Sequence, residues 1–513
     1  MEVCTLVAEF VIPELGEAIS EALGAVVAVV KEMRENEQIC RRVLERMRFV
    51  DDELRKITDE TALRQNRVLF MYGTTIANFL AFLRKQAKKS LIKRLASNRK
   101  VVDAVQDFHQ DMDDLFKLLN IAHMNEMARW KQDWEEDRKS INQKMAQVLA
   151  NTQTIHAEIQ QAGTSLTEGL AMLKYELDFK SELNDPEQVK LMKKTFNKVV
   201  STSKAKVPVI PVWFIPSDDV DYNAKDFFDC GSYGSVHRGT WGKGTKVVIK
   251  SLLMDDEKAI ASFFKEVEVW HVLNNPHVVR LYGACHVSTP AFFVCDDAIH
   301  GNFADYFEKG KSEIWRLFYE AALGLDYLHR EKVVHGDLKC NNILVGSDDR
   351  AKICDFGFSY IRSQSVGLSK KAQTDTIRWK APELLMQAGD NPRFLSDVFS
   401  FGMCIIEAFA GEPPYGTDDD DTILGYVFDE RPYPRPEGLK DDEWALVQKL
   451  CHFDSEQRIK LSEAIDQLRA FADREEQAKH ETRDCPTCSV AIPSDFMFCG
   501  KCGYRLDNAA ASA

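Results

Sequence analysis

The sequence predicts a multidomain chain: an all-α N-terminal region, a central α+β region and a small C-terminal cysteine module. Three observations carry this. No proline occurs between Pro13 and Pro186 and glycine is sparse there, as a succession of helices requires. The middle of the chain holds a short strand, Val247-Val248-Ile249, followed by a helical pattern, Phe263 to Trp270. Near the C-terminus, two Cys-x-x-Cys pairs stand ten residues apart. A chain of 513 residues suits three to four domain-sized units. The expected division is 1–200 for a helical bundle with brace helices, 201–217 for a linker, 218–473 for the central domain, 474–484 for a charged connector and 485–506 for the cysteine module. The net charge of −14 argues against general nucleic-acid binding.

In the N-terminal region, helices are expected near 2–33, 37–60 and 64–92. Val101, Val105, Phe108, Met112, Leu115 and Leu119 recur at steps of four and three, as do Ile141, Met145, Val148, Thr152, Ile155 and Ile159. Each series places one apolar stripe on a helix, and such stripes pack against each other. An acidic stretch with Trp130 and Trp134 opens a long later helix that serves as a brace. Arg84, Lys85, Lys88, Lys89, Lys93, Arg94, Arg99 and Lys100 form a run without an acidic residue. Anionic lipid would attract such a run by about 1 kcal/mol per basic residue near the surface. A solvated helix end is the alternative. The apolar run Ala22 to Val30 is too short to span a bilayer, and Glu2, Glu9, Glu14 and Glu17 do not suit a secretory leader. A cytoplasmic protein is expected, with peripheral membrane contact left open.

Residues 201–217 read as a linker stiffened by Pro208, Pro211 and Pro216. Its bulky residues, among them Val209, Trp213 and Phe214, suggest packing against a domain surface.

The central region carries the chemistry. His335-Gly336-Asp337-Leu338-Lys339-Cys340-Asn341-Asn342, followed by Asp355-Phe356-Gly357, sets a carboxylate, an ammonium, an amide and a second carboxylate in the order and spacing of protein kinases. Lys250 ends the strand Val247-Val248-Ile249, Glu266 lies in the helical pattern, Ala381-Pro382-Glu383 follows, and Asp397 and Arg458 complete the set. Residues 218–473 thus resemble a bilobal protein kinase. The resemblance implies ATP and Mg²⁺ as cofactors and proteins as substrates. It implies that Asp337 orients the attacking hydroxyl and that Lys339 stabilises the transferred phosphate. Lys250, paired with Glu266, would hold the α/β-phosphates, and Asn342 and Asp355 would bind Mg²⁺. Glu268 is the alternative to Glu266. Gly231, Gly234 and Val236 would form the phosphate-covering loop, Asp397 would fix the catalytic-loop backbone, and Arg458 would pair with Glu383. Thr376 to Glu383 and His237-Arg238-Gly239-Thr240-Trp241 resemble the tyrosine-kinase-like (TKL) group. Lys339, two residues after Asp337, is the serine/threonine-type signature.

Two positions depart from the pattern. Asp229 stands at the first glycine of the phosphate loop, a mild Coulombic disadvantage that solvent screens. Gly336 replaces an arginine that couples many kinases to a phosphorylated activation loop. Ser363, Ser365, Ser369 and Thr374 are candidate phosphorylation sites, or an ordinary polar loop. Cys295 is expected at the small position behind the nucleotide, with residues 296–298 as the hinge, and as a packed thiol.

Cys485, Cys488, Cys499 and Cys502 offer four soft ligands, which favours structural tetrahedral Zn²⁺. The segment resembles a short zinc ribbon; a disulfide framework is the alternative. It would serve as a passive cap or a protein-binding tag, with nucleic-acid binding a weaker option. The other nine cysteines show no metal spacing and indicate a reducing compartment. The helical layout, with the stretch Phe79 to Ile121, resembles the N-terminal bundle of mixed lineage kinase domain-like proteins. That likeness implies a bundle that self-associates and acts on membranes under control of a kinase-like domain. Two functions follow as expectations: a serine/threonine kinase regulated by its helical region, or a nucleotide-sensing scaffold or membrane effector that uses the kinase fold as a switch.

Overall fold

The structure is a computed structural model of the full chain. It describes residues 15–54, 56, 67–119, 124–162, 164–231, 234–252, 257–310, 313–356, 377–386, 393–480, 482–488, 490–493, 498 and 500–505. The chain divides into two units, one ending at Ser217 and the other beginning at Asp218.

The first unit is helical. Helices α1 (Leu15–Val30), α2 (Glu37–Leu54), α3 (Arg67–Ala87) and α5 (Asn98–Leu118) build the bundle, and the short α4 (Leu91–Ala96) lies between the last two. Residues 2–14 and 57–60 of the expected first and second helices lie outside the described residues; the first passes after Val30 into a tighter turn, Lys31–Asn36, and Lys56 lies in a turn beyond the second. The third breaks after Ala87, and Ser90 restarts the chain as the cap of α4, its hydroxyl accepting from Lys93 N–H at 3.4 Å. On α2, Ile39, Val43, Met47, Val50 and Leu54 keep the three-and-four spacing and are buried. They meet Tyr72, Ile76 and Phe79 of α3 and Val105, Met112 and Leu115 of α5 in one core.

A second core lies under the brace. Helices α6 (Met124–Ala150), α7 (Thr152–Ala162), α8 (Thr164–Phe179) and α9 (Pro186–Ser203) follow in order. Leu91, Leu95, Met145, Leu170, Leu173 and Met192 close this cluster. The stripe from Ile141 to Ile159 therefore spans two helices, interrupted at Asn151, whose side chain accepts from Gln153 N–H at 2.9 Å. Asp185 caps α9, with Pro186 at its first position. The linker belongs to this unit: Phe214 is buried, with its ring 5.6 Å from that of Tyr175.

The basic run does not present its full charge to solvent. Arg94 is buried and pairs with the buried Glu35 at 3.1 Å, and also donates to Lys89 O at 2.9 Å. Lys93 pairs with Glu168 at 2.5 Å, and Arg99 lies 3.5 Å from both Glu176 and Asp103. Lys93, Arg94 and Arg99 therefore have carboxylate partners, mostly from elements distant in sequence.

A polar cluster links α2, α5 and α6. Arg42 pairs with Asp133 and Asp137, and Arg46 pairs with Asp113 while donating to His109 O at 2.8 Å. His109 is fully buried, 5.7 Å from the ring of Trp134, with Nδ1 3.1 Å from Arg46 Nη1. Trp134 thus lies in the core, while the side chain of Trp130 is outside the described residues.

The second unit begins with a six-stranded antiparallel sheet. Strands β1 (Val220–Tyr222) and β2 (Asp229–Gly231) both flank β3 (Gly234–Trp241), and β4 (Thr245–Leu252), β6 (Ala291–Asp296) and β5 (Leu281–Cys285) follow in spatial order. Helix α10 (Glu257–Trp270) packs on β5. Then come α11 (Phe303–Lys309), α12 (Ile314–Arg330), the hairpin β7 (Ile343–Val345) and β8 (Ala351–Ile353), α13 (Pro382–Met386), α14 (Phe394–Ala410), α15 (Asp420–Phe428), α16 (Asp441–Leu450) and α17 (Leu461–His480). A hairpin of β9 (Thr482–Asp484) and β10 (Ala491–Pro493) closes the described order.

The expected boundary at 473 falls inside α17, and most of the expected connector is helix. The reason is a tertiary cap. Helix α12 starts after Glu313, which has a left-handed φ of +57° and makes no side-chain cap. The carboxylate of Glu475 takes its place, accepting from Trp315 N–H at 3.4 Å and Arg316 N–H at 3.1 Å. Phe471, one turn earlier, packs on Trp315 with ring centres 5.0 Å apart.

Burial first, then the charges of Arg46 and Arg42, lowers the pKa of His109 from 6.5 to about 3. Between those values the unfolded chain binds a proton that the folded unit refuses. This contribution to stability is therefore complete above pH 6.5 and is lost as pH falls toward 3. At pH 5 the loss should be about 2 kcal/mol. Urea unfolding of the helical unit at pH 7 and pH 5 checks this. His109→Gln should flatten the difference, and an equal slope in both proteins refutes the assignment.

Candidate active site

The β3–β4 pairing sets one wall. Its register places Val236 opposite Lys250, and the β2–β3 pairing places Gly231 opposite Gly234. Gly234 has φ +140°, and a Cβ there would lie 2.1 Å from Ser251 O, so only glycine fits. The side chain of Asp229 is outside the described residues.

On β4, Val247 and Ile249 are buried, and alternation turns Lys250 to the opposite face. Its ammonium pairs with Asp355 Oδ1 at 2.6 Å. Burial alone would lower the Lys250 pKa, but the Asp355 carboxylate and then Glu266 outweigh it, and the net shift is upward. Glu266 is buried on the same side of α10 as Phe263, Val267 and Trp270, whereas Glu268 is exposed. Trp270 fixes the end of that helix by donating to Val279 O at 2.7 Å. Its ring also lies edge-on to Phe356, the neighbour of Asp355, at 5.7 Å. The position of α10 and that of Asp355 are therefore mechanically joined.

The loop from His335 to Asn342 is held at both ends. His335 is fully buried; Nε2 lies 3.0 Å from Cys354 O, and Nδ1 accepts from Asp337 N–H at 3.2 Å. That pair of bonds requires the neutral ring with its proton on Nε2. Asp397 accepts from His335 N–H and Gly336 N–H, both at 2.8 Å, and from His329 Nε2 at 2.9 Å. Gly336 has φ +75°, which a glycine adopts without strain. Asn342 donates through Nδ2 to Asp337 O at 2.7 Å and to Asp337 Oδ2 at 3.1 Å. Lys339 Nζ lies 3.8 Å from Asp337 Oδ2. The structure thus brings Asp337, Lys339 and Asn342 together, and Lys250 with Asp355, while the expected partner Glu266 acts on Lys250 through its charge. Gly357 and the four candidate phosphorylation residues lie outside the described residues.

Arg458 grips Glu383 with two bonds, at 2.7 and 2.6 Å, and donates to Leu395 O at 3.0 Å. Cys295, the last residue but one of β6, lies opposite Val248 and is buried, and burial pushes its thiol up to about 12. It is a packing group, not a nucleophile. Sequence reasoning missed Glu407, a buried carboxylate on α14. Its signal was present: Asp397, Ser400, Cys404 and Glu407 recur at helical spacing in an otherwise apolar helix.

In the C-terminal hairpin, the sulfurs of Cys485, Cys488 and Cys502 all lie within 4.8 Å of one another, and those of Cys485 and Cys502 are 3.5 Å apart. Cys499 lies outside the described residues. Burial acts to raise the Cys485 thiol, but the N–H groups of Thr487 and Cys488 and the neighbouring thiols bring it below its ordinary value. Convergent sulfurs with N–H groups aimed at one of them suit a thiolate-binding metal.

Residues 223–468 match the family described as protein tyrosine and serine/threonine kinase. The chain is 30% identical over 249 residues to the probable serine/threonine-protein kinase SIS8 of Arabidopsis thaliana, covering 47% of this chain and 24% of that protein. It is 30% identical over 261 residues to the serine/threonine-protein kinase CTR1 of the same plant, covering 48% and 31%. It is 28% identical over 250 residues to the tyrosine-protein kinase transforming protein Abl of Abelson murine leukemia virus, covering 47% and 33%. The matched region therefore spans only a quarter to a third of each of these relatives. The second unit contains a protein kinase domain, with relatives of both hydroxyl specificities.

Asp397→Ala would strand three N–H donors, two of them on the backbone beside Asp337. Each stranded buried donor costs about 1–3 kcal/mol, so thermal unfolding of the second unit should shift down by several degrees. An unchanged melting temperature would refute the clamp.

Proposed function

We propose that the chain is a serine/threonine protein kinase that transfers the γ-phosphate of ATP to protein hydroxyls. The observation that carries this is the convergence of Asp337, Lys339 and Asn342 on one loop held by Asp397, with Lys250 and Asp355 paired across the cleft. Asp337 orients the acceptor hydroxyl and takes its proton at the carboxylate. Lys339 stands beside it to meet the charge on the moving phosphoryl group. Lys250, its charge secured by Asp355 and Glu266, holds the α/β-phosphates under the strand carrying Gly234 and Val236, with Gly231 on the adjacent strand. Asp355 supplies hard oxygen for Mg²⁺. Both bonds from Asn342 to Asp337 use Nδ2, which leaves its Oδ1 as the hard ligand. Mg²⁺, when bound, neutralises phosphate charge. The short lysine-bearing loop supports serine/threonine over tyrosine, as does the likeness to the TKL group.

The helical unit is the proposed regulatory module, acting by self-association. Binding to anionic membranes through Arg84 to Lys100 is the weaker role, because Lys93, Arg94 and Arg99 already face carboxylates. No helix among the described residues is long and apolar enough to cross a membrane. The scattered buried thiols support a reducing, cytoplasmic setting.

Radiolabelled ATP with Mg²⁺ and casein as acceptor tests the reading. The wild-type chain should label serine and threonine, and Asp337→Asn should lose about 100-fold or more. A folded Asp337→Asn protein with the parent's activity would sink the mechanism. Nucleotide binding without any transfer by the wild-type chain would favour the nucleotide-sensing switch.

The C-terminal hairpin is proposed to hold structural Zn²⁺ through Cys485, Cys488, Cys499 and Cys502. The purified chain should carry zinc at equimolar level, and Cys502→Ser should lose it along with the protection of the remaining thiols from alkylation. A metal-free wild-type chain with four alkylatable thiols overturns this.

A further inference from the structure

We propose, on the phosphotransfer reading above, that Glu407 is a positioning residue that locks the Asp337 loop in register with the segment at Trp379. Glu407 sits on α14, and only 6% of its surface is exposed. A carboxylate at that depth is tolerated only where donors satisfy it. One oxygen, Oε2, receives two: the backbone N–H of Cys340 at 3.0 Å and the indole Nε1–H of Trp379 at 2.8 Å.

These donors come from different parts of the site. Cys340 follows Lys339 and opens the turn that ends at Asn342. Trp379 stands just before Lys380 and the Ala381-Pro382-Glu383 stretch. Trp379 and Lys380 line the same small cleft as Gly336 and Asp337, so an acceptor chain reaching Asp337 passes beside them. Each side also has its own anchor on α14. Cys340 Sγ donates to Cys404 O at 3.3 Å, and Ser400 Oγ donates to Trp379 O at 2.7 Å. Those anchors hold each segment to the helix. Glu407 joins the segments through a single atom, so a shift in one changes the bond made by the other.

Asp397 and Glu407 therefore bracket the loop. Asp397 fixes the backbone before Asp337, and Glu407 fixes it after Lys339. The spacing between the hydroxyl-orienting carboxylate and the phosphate-facing ammonium is set between those two grips. Glu407 touches neither substrate nor nucleotide, and its effect passes through Cys340.

The test uses the full chain with Glu407→Gln, Trp379→Phe and the double variant. Trp379→Phe removes the indole N–H and keeps an aromatic ring. Steady-state transfer from ATP-Mg²⁺ to casein should show kcat reduced about 10- to 100-fold in Glu407→Gln, while KM for ATP stays within about twofold. Trp379→Phe should lose less, and the double variant should lose no more than Glu407→Gln alone, the signature of a shared contact. Amide hydrogen exchange at Cys340 should quicken in both single variants, including Trp379→Phe, which does not touch that amide. Wild-type kcat in folded Glu407→Gln, or unchanged Cys340 exchange in Trp379→Phe, overturns the proposal. If Glu407→Gln does not fold, Trp379→Phe decides by exchange. If the wild-type chain transfers no phosphate, the kinase reading fails on that result, and the exchange measurement still decides the coupling.

Discussion

The carboxylate of Asp397 is the constraint on which the active-site geometry rests. It is almost wholly buried and accepts from two successive backbone N–H groups and one imidazole. A loop that must present Asp337, Lys339 and Asn342 in fixed relation cannot rely on its own turns for precision. Anchoring its backbone to a long buried helix transfers the rigidity of the core to the loop. Helix α14 suits this task because nearly every residue of its middle turns is buried. Its few polar groups are therefore held without freedom to rotate away. The buried imidazole of His335 extends the same frame by tying the loop to Cys354, the residue before Asp355. The two halves of the site, one on each side of the cleft, share this connection.

The sequence displayed the site better than it displayed the fold around it. Asp337, Lys339, Asn342 and Asp355 stood out because residue type and spacing matched one motif together. The Arg458–Glu383 pair was legible for the same reason. Helix positions in the first unit were legible from apolar spacing, since α2 and α5 each bury one stripe. Their ends were not, because Ser90 and Asn151 interrupt patterns whose apolar residues continue in register across the break. Glu475 was hidden for another reason. It accepts from the N–H of Trp315, 160 residues earlier in the chain, and no local pattern reports a tertiary cap. The basic run hid its pairing in the same way: the carboxylate partners Glu35, Glu168 and Glu176 of Lys93, Arg94 and Arg99 are far away in sequence.

The cysteines separate into two populations by a single electrostatic comparison. In the kinase domain, Cys295, Cys340, Cys354, Cys404 and Cys451 are shut away from water, which disfavours a thiolate, and each thiol is pushed upward. In the C-terminal hairpin, N–H groups and neighbouring thiols overcome burial, and Cys485 moves downward. The first group behaves as small hydrophobes. In the second, Cys485 keeps close company with the sulfurs of Cys488 and Cys502. This contrast needs no motif and depends only on what surrounds each sulfur.

Asp355 shows how one residue can carry a backbone constraint and a charge together. It adopts a left-handed φ of +59°, a region that aspartate tolerates better than most side chains. Its neighbour Phe356 is buried against Trp270 of α10, so the turn is held from one side by packing. From the other side it is held by the ion pair with Lys250, half-buried on β4. Moving α10 would disturb Phe356 through Trp270 and Lys250 through Glu266. Both disturbances reach Asp355, one through its backbone and one through its carboxylate. A displacement of the helix that bears Glu266 would thus act on both at once.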